Sequence, residues 1–127
     1  MRAYETVLYA ADVPSAAAFY RDVLGLRLVD GPDELAAAFR LEDGGMLLLF
    51  DPERSSKPAR PVPSHGTRGG GHVAFSVPAL DEWRARLAEH GVDVEQEKAW
   101  PQGGRSIYVR DPAGNSVELV EGELWPE

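Results

Sequence analysis

Glu5-Thr-Val-Leu-Tyr-Ala-Ala-Asp12 and His72-Val-Ala-Phe-Ser-Val-Pro-Ala79 open two copies of one pattern. Each is a short β-forming run followed by a helix-forming run that stops at a glycine, Gly25 in the first copy and Gly91 in the second. Further along, Gly44-Gly-Met-Leu-Leu-Leu-Phe-Asp51 aligns with Gly114-Asn-Ser-Val-Glu-Leu-Val-Glu121. In that register Glu5 matches His72, and Leu48 matches Glu118. Pseudo-twofold packing of two such copies brings matched strand positions into one cleft, so Glu5, His72 and Glu118 form a candidate metal site.

The element pattern comes from this repeat. The first copy predicts a strand over 4–10, then a helix with Asp12 or Ser15 as cap, Pro14 in its first turn and a broad apolar face from Ala16 to Leu24. Strands are expected at 26–30, 35–41 and 45–50, with turns at Gly31-Pro32-Asp33 and Asp43-Gly44-Gly45. The second copy predicts a strand over 72–77, a helix over 81–90 and strands over 92–97, 105–110 and 115–121. The turn Asp111-Pro-Ala-Gly-Asn115 separates the last two. The result is an α+β chain in which a strand–helix–three-strand unit occurs twice. One domain covers 1–127: module one at 1–51, a linker loop at 52–70, module two at 71–122 and a tail at 123–127.

Strand alternation sharpens the site. Val73, Phe75 and Val77 form the helix-packing face of their strand, leaving His72, Ala74 and Ser76 on the other. Glu118 shares a face with Ser116 and Val120, and Glu5 shares one with Val7 and Tyr9. Ser106, Tyr108 and Arg110 should line the same hollow. Trp83 is expected in the core, and Trp100 and Trp125 at the cleft or a subunit contact.

Bulk properties narrow the function. The chain has 127 residues, 43% of them hydrophobic, as in soluble globular proteins. Without cysteine, it has no disulfide, thiolate metal site or cysteine nucleophile. Neither a secretory signal nor a membrane span is expected, and a cytoplasmic location is the default. A net charge of −8 argues against nucleic acid as a partner. The loop around 51–70 is locally basic, with Arg54, Lys57, Arg60 and Arg68. It reads either as a solvated connector or as a flap that holds an anionic substrate through Arg60, Arg68 and Ser106. His65 in that loop is a candidate acid or base, because an unperturbed imidazole titrates near neutrality. Glu118 and Tyr108 are the other catalytic candidates.

Three stretches resemble the vicinal oxygen chelate superfamily of glyoxalases, bleomycin resistance proteins and extradiol dioxygenases. They are Asp12-Val-Pro-Ser-Ala-Ala-Ala-Phe-Tyr-Arg-Asp-Val-Leu-Gly-Leu26, Gly71-His-Val-Ala-Phe-Ser-Val77 and Tyr108-Val-Arg-Asp-Pro-Ala-Gly-Asn-Ser-Val-Glu-Leu119. The resemblance implies a divalent metal (Fe, Mn, Ni, Zn or Mg) held by Glu5, His72 and Glu118, and a small-molecule substrate with vicinal oxygens. It also implies a homodimer, and a fold of paired βαβββ modules that form an open, barrel-like curved sheet with the helices outside. A lyase, isomerase or dioxygenase reaction is expected. The glyoxalase I type has a fourth ligand at the position of Leu48, which cannot bind metal. Taken singly, Glu5 reads as an edge residue and His72 as a structural histidine; the matched set of three is what points to a metal. The competing reading is a metal-free protein that sequesters a small molecule, as in the bleomycin resistance branch.

Overall fold

The computed structural model describes residues 1–67 and 70–126. Contacts divide the chain into two compact units. One comprises Met1–Gly71 with Pro112–Asn115, and the other comprises His72–Asp111 with the chain from Ser116 onward. Among the described residues, no helix is long and apolar enough to cross a membrane.

The first unit runs β1 (Glu5–Tyr9), α1 (Val13–Ala18), β2 (Arg27–Asp30), β3 (Ala36–Arg40), β4 (Met46–Phe50) and a helical turn, α2 (Pro52–Ser55). Its sheet has the order β1-β4-β3-β2, with β1 parallel to β4 and the other pairs antiparallel. Asp12 caps α1 by accepting the Ser15 N–H at 3.1 Å. The helix widens to a π-turn over Phe19–Val23, which carries Phe19, Tyr20 and Val23 into the core. There Tyr20 meets Phe39, with ring centroids 6.0 Å apart. Leu8, Ala37, Phe39, Leu47 and Leu49 form the buried face of the sheet. The alternate residues Val7, Tyr9, Ala36, Ala38, Leu48 and Phe50 remain partly exposed on the other face.

The second unit runs β5 (His72–Ser76), α3 (Leu80–Glu89), β6 (Gln96–Ala99), β7 (Arg105–Arg110) and β8 (Ser116–Glu121), in the sheet order β5-β8-β7-β6. Leu80 and Leu87 anchor α3 and are buried, as are Ile107, Val109, Val117 and Leu119. The Glu121 carboxylate accepts the Leu80 N–H at 2.7 Å, so a β8 side chain caps α3. That bond is the main cause, and the Arg105 guanidinium a second, of a Glu121 pKa below the usual carboxylate range.

The two registers reproduce the internal alignment. Glu5 pairs with Met46 and Val7 with Leu48 in the parallel pair β1–β4. His72 pairs with Ser116 and Ala74 with Glu118 in β5–β8. The matched glycines share backbone geometry as well: φ is +86° at both Gly44 and Gly114.

Three expectations change. The sixth strand is Gln96–Ala99 rather than 92–97, because Val92 N–H bonds back to the Leu87 carbonyl at 2.9 Å and the chain joins β7 from the Glu95 N–H bond to the Tyr108 carbonyl onward. The linker contains a helical turn, since Asp51 accepts the N–H groups of Glu53 and Arg54 and Pro52 suits the first position. Trp83 is half-buried on α3 rather than in the core, with the Arg86 guanidinium 5.8 Å from its ring.

Asn115, only 1% exposed, belongs to the first unit although the chain runs on from it into β8. Its Oδ1 accepts the Gly71 N–H at 2.7 Å, and its Nδ2 donates to the Tyr9 carbonyl at 3.0 Å. Asn115→Ala leaves both backbone groups without these partners. It should destabilise the chain by about 1–3 kcal/mol, read as a lower denaturant midpoint at unchanged slope; an unchanged midpoint would contradict this role.

Candidate metal centre

The second unit builds a polar cluster on the face of its sheet that α3 leaves open. The neighbouring strands β5, β8 and β7 place His72, Glu118, Ser106 and Tyr108 side by side. His72 Nε2 lies 3.1 Å from Glu118 Oε2. The glutamate is buried, at 4% exposure. Its other oxygen, Oε1, accepts the Ser106 hydroxyl at 2.5 Å and the Tyr108 hydroxyl at 3.0 Å. Ser106 Oγ in turn accepts the Trp100 indole N–H at 2.8 Å. The Tyr108 and His72 rings stack, 6.4 Å apart and tilted by 27°. The His72 side chain remains 49% exposed, so the cluster opens to solvent on the imidazole side.

The electrostatics are unusual for a buried carboxylate. Among the described residues, the ion-pairing side chain at Glu118 is His72, not Lys or Arg. The remaining donors are neutral hydroxyls. Burial without a cation costs several kcal/mol unless hydrogen bonds or a bound charge offset it. His72 Nδ1 lies 3.2 Å from the Ser116 carbonyl, which accepts a hydrogen bond from that nitrogen. In the neutral tautomer Nε2 then presents a lone pair toward a carboxylate oxygen, and a cation between the two relieves their repulsion. Two ligand atoms on one small divalent ion are roughly 3.0–3.4 Å apart, from bond lengths near 2.1 Å. The observed separation fits that range, and the imidazole anchored to a carbonyl is the usual support of a metal-ligating histidine.

The remaining candidates lie in the first unit. Glu5 is exposed on β1 at the position equivalent to His72, and Leu48 stands where Glu118 stands in β8. Among the described residues, no group of three or more His, Cys, Asp or Glu forms a ready cluster, so the site described within one unit is the His72–Glu118 pair. His65 Nδ1 is 2.7 Å from the Tyr9 hydroxyl, and its ring meets Phe50 edge-on at 4.7 Å. Arg60 donates to the Ser55 carbonyl at 3.0 Å and lies 5.8 Å from the Phe50 ring centroid. The loop therefore rests Arg60 and His65 on the partly exposed face of the first sheet. A pocket of about 760 Å³ beside it is lined by Tyr9, Asp51, Glu53, Thr67 and Gly114, among others, with acidic rather than basic side chains. Arg68 lies outside the described residues.

One site residue differs from the expectation. Ser106, expected at the substrate, is 1% exposed, with its hydroxyl engaged between Trp100 and Glu118. Arg110, in phase with Tyr108 along β7, pairs with Glu95 at 2.7 Å. The role of Trp100 had one sequence signal, the Pro101-Gln-Gly-Gly104 turn that folds it back over the start of β7.

The sequence profile described as the Glyoxalase/Bleomycin resistance protein/Dioxygenase superfamily matches residues 3–119, and the chain belongs to that superfamily. A crystal structure of lactoylglutathione lyase from Agrobacterium tumefaciens is 44% identical, covers 99% of this chain and 97% of its own, and superposes with a TM-score of 0.91. Lactoylglutathione lyase of Salmonella typhimurium is 28% identical over 97% of this chain and 94% of its own length. Biphenyl-2,3-diol 1,2-dioxygenase 3 of Rhodococcus globerulus is 30% identical over 95% of this chain and 64% of its own.

The Tyr108 phenol is held above the usual tyrosine range, first by burial and then by its hydrogen bond to Glu118 and that group's charge, with Ser106 acting the other way. The folded chain thus favours the protonated phenol. Its contribution to stability is whole below the ordinary tyrosine value and is lost as pH rises through the raised one. In an ultraviolet titration, the component removed by Tyr108→Phe should ionise above ~10, and Glu118→Gln should lower it. A component that titrates at the ordinary value in both proteins would show that Glu118 exerts no such hold.

Proposed function

We propose that the chain is a metal-dependent enzyme of the lyase, isomerase or dioxygenase type, acting on a small molecule with vicinal oxygens. In this reading His72 Nε2 and Glu118 Oε2 are two of the ligands, and Glu5 is the third. The observation that carries the reading is the buried Glu118 carboxylate facing an imidazole nitrogen whose partner nitrogen is anchored on the Ser116 carbonyl. The likeness to the lactoylglutathione lyase of Agrobacterium tumefaciens favours lyase chemistry among the three.

A bound divalent ion supplies Lewis acidity, polarising a substrate oxygen. The chain's own residues do the rest. Ser106 and Tyr108 hold Glu118 Oε1, so Oε2 is the atom left to face the ion or to take a substrate proton. The raised Tyr108 pKa keeps its proton in place at neutral pH. The Tyr108 ring walls one side of His72 and limits how a substrate approaches. His65, hydrogen-bonded to Tyr9, is the second proton carrier in this reading. Leu48 in place of a carboxylate leaves a three-ligand set, with positions open for substrate and water.

The apolar open face around Leu48 and Phe50 also suits the competing function, capture of a small molecule without metal. Metal titration decides between them. The wild-type chain should bind about one divalent ion per site. His72→Ala and Glu118→Ala should each weaken binding by at least about tenfold, and Leu48→Ala should leave it unchanged. Equal occupancy in wild type and His72→Ala would sink the metal reading. Turnover of lactoylglutathione or biphenyl-2,3-diol by the loaded protein then separates lyase from dioxygenase. A homodimer is expected as well, because paired sheets leave edges that need cover; light scattering at micromolar concentration checks it, and a monomer refutes it.

A further inference from the structure

We infer that Trp100 is a positioning residue for Glu118, acting through Ser106. The inference deepens the reading of His72 and Glu118 as metal ligands and rests on it for its second test. The chain of contacts has a fixed direction. An indole nitrogen can only donate, and a serine hydroxyl has a single proton. Trp100 therefore gives its N–H to a Ser106 lone pair, and Ser106 gives its proton to Glu118 Oε1. A donor that itself accepts a hydrogen bond is polarised and donates more strongly. The 2.5 Å contact between Ser106 and the carboxylate is short, as expected for a charge-assisted bond. The indole also occupies the lone pair that would otherwise let the hydroxyl turn away.

Trp100 is itself held. Its backbone N–H donates to Gly104 and its carbonyl accepts from Gly103, which closes the turn and folds the side chain back. Lys98 Nζ sits 4.7 Å from its ring centroid. Ser106 and Tyr108 both act on Oε1, so the carboxylate cannot swing away without losing two hydrogen bonds. Oε2 alone faces His72. The effect of Trp100 on the carboxylate passes through the Ser106 hydroxyl.

The first test needs no metal. The Trp100 indole N–H resonance, assigned by its loss in Trp100→Phe, should shift when Glu118→Gln removes the negative charge. In a Ser106→Ala background the same change should leave it nearly still. A resonance insensitive to Glu118→Gln in the otherwise wild-type protein overturns the inference, whatever the metal does. The second test is calorimetric titration of the apo-protein with Zn²⁺. Trp100→Phe keeps an aromatic ring beside Lys98 but loses the donor, and it should weaken zinc binding by about tenfold. Ser106→Ala should weaken it at least as much. The double variant should show no further loss, because Trp100 acts through Ser106. Additive losses, or equal zinc affinity in wild type and Trp100→Phe, overturn the inference and leave the metal site standing. A wild-type protein that binds no zinc or other divalent ion overturns the metal reading instead, and the resonance test still decides whether Trp100 positions Glu118.

Discussion

The parallel pairing of the first and last strands sets the architecture of each module. A parallel neighbour cannot be reached by a tight turn, so the chain must cross over before returning. In both copies the intervening helix and hairpin complete that crossover. The helix packs on one face of the sheet and leaves the opposite face without a helical cover. Pairing β1 with β4 and β5 with β8 also fixes which residues stand beside one another on that open face. Slipping β5 against β8 by one residue would turn His72 inward against the helix and away from Glu118.

On the open face the two modules have diverged. The second carries a carboxylate at the centre of its last strand, with hydroxyls beneath it and an imidazole beside it. The first carries Leu48 at the same position, among Val7, Ala38 and Phe50. The same backbone thus presents a polar, ion-attracting surface in one copy and an apolar one in the other.

Much of this architecture is legible in the sequence. Matched glycines, a cap at Asp12 or Ser15 and alternation in 72–77 and 116–119 give the module order and the facing of His72 and Glu118, because these features depend on local geometry. The sixth strand begins later than the sequence suggests. Val92 and Val94 look like strand residues, but an edge strand is positioned by the hydrogen bonds of its neighbour, which sequence alternation does not encode. The fate of Arg60 and His65 is equally hidden. The sequence leaves them on either a solvated connector or a substrate flap, whereas the structure rests both on Phe50 and hydrogen-bonds His65 to Tyr9. Trp100 is visible as an aromatic residue near the site but not as a hydrogen-bond donor, since its acceptor lies across a turn.

Asn115 shows that the two copies no longer divide where the repeat divides. The residue sits in the second half of the chain, yet its amide ties together Gly71 and Tyr9 of the first unit. A gene cut between the repeats would yield a first half that lacks one of its own structural ties. Shuffling single modules among relatives would have to carry the 112–115 turn along with the opposite half.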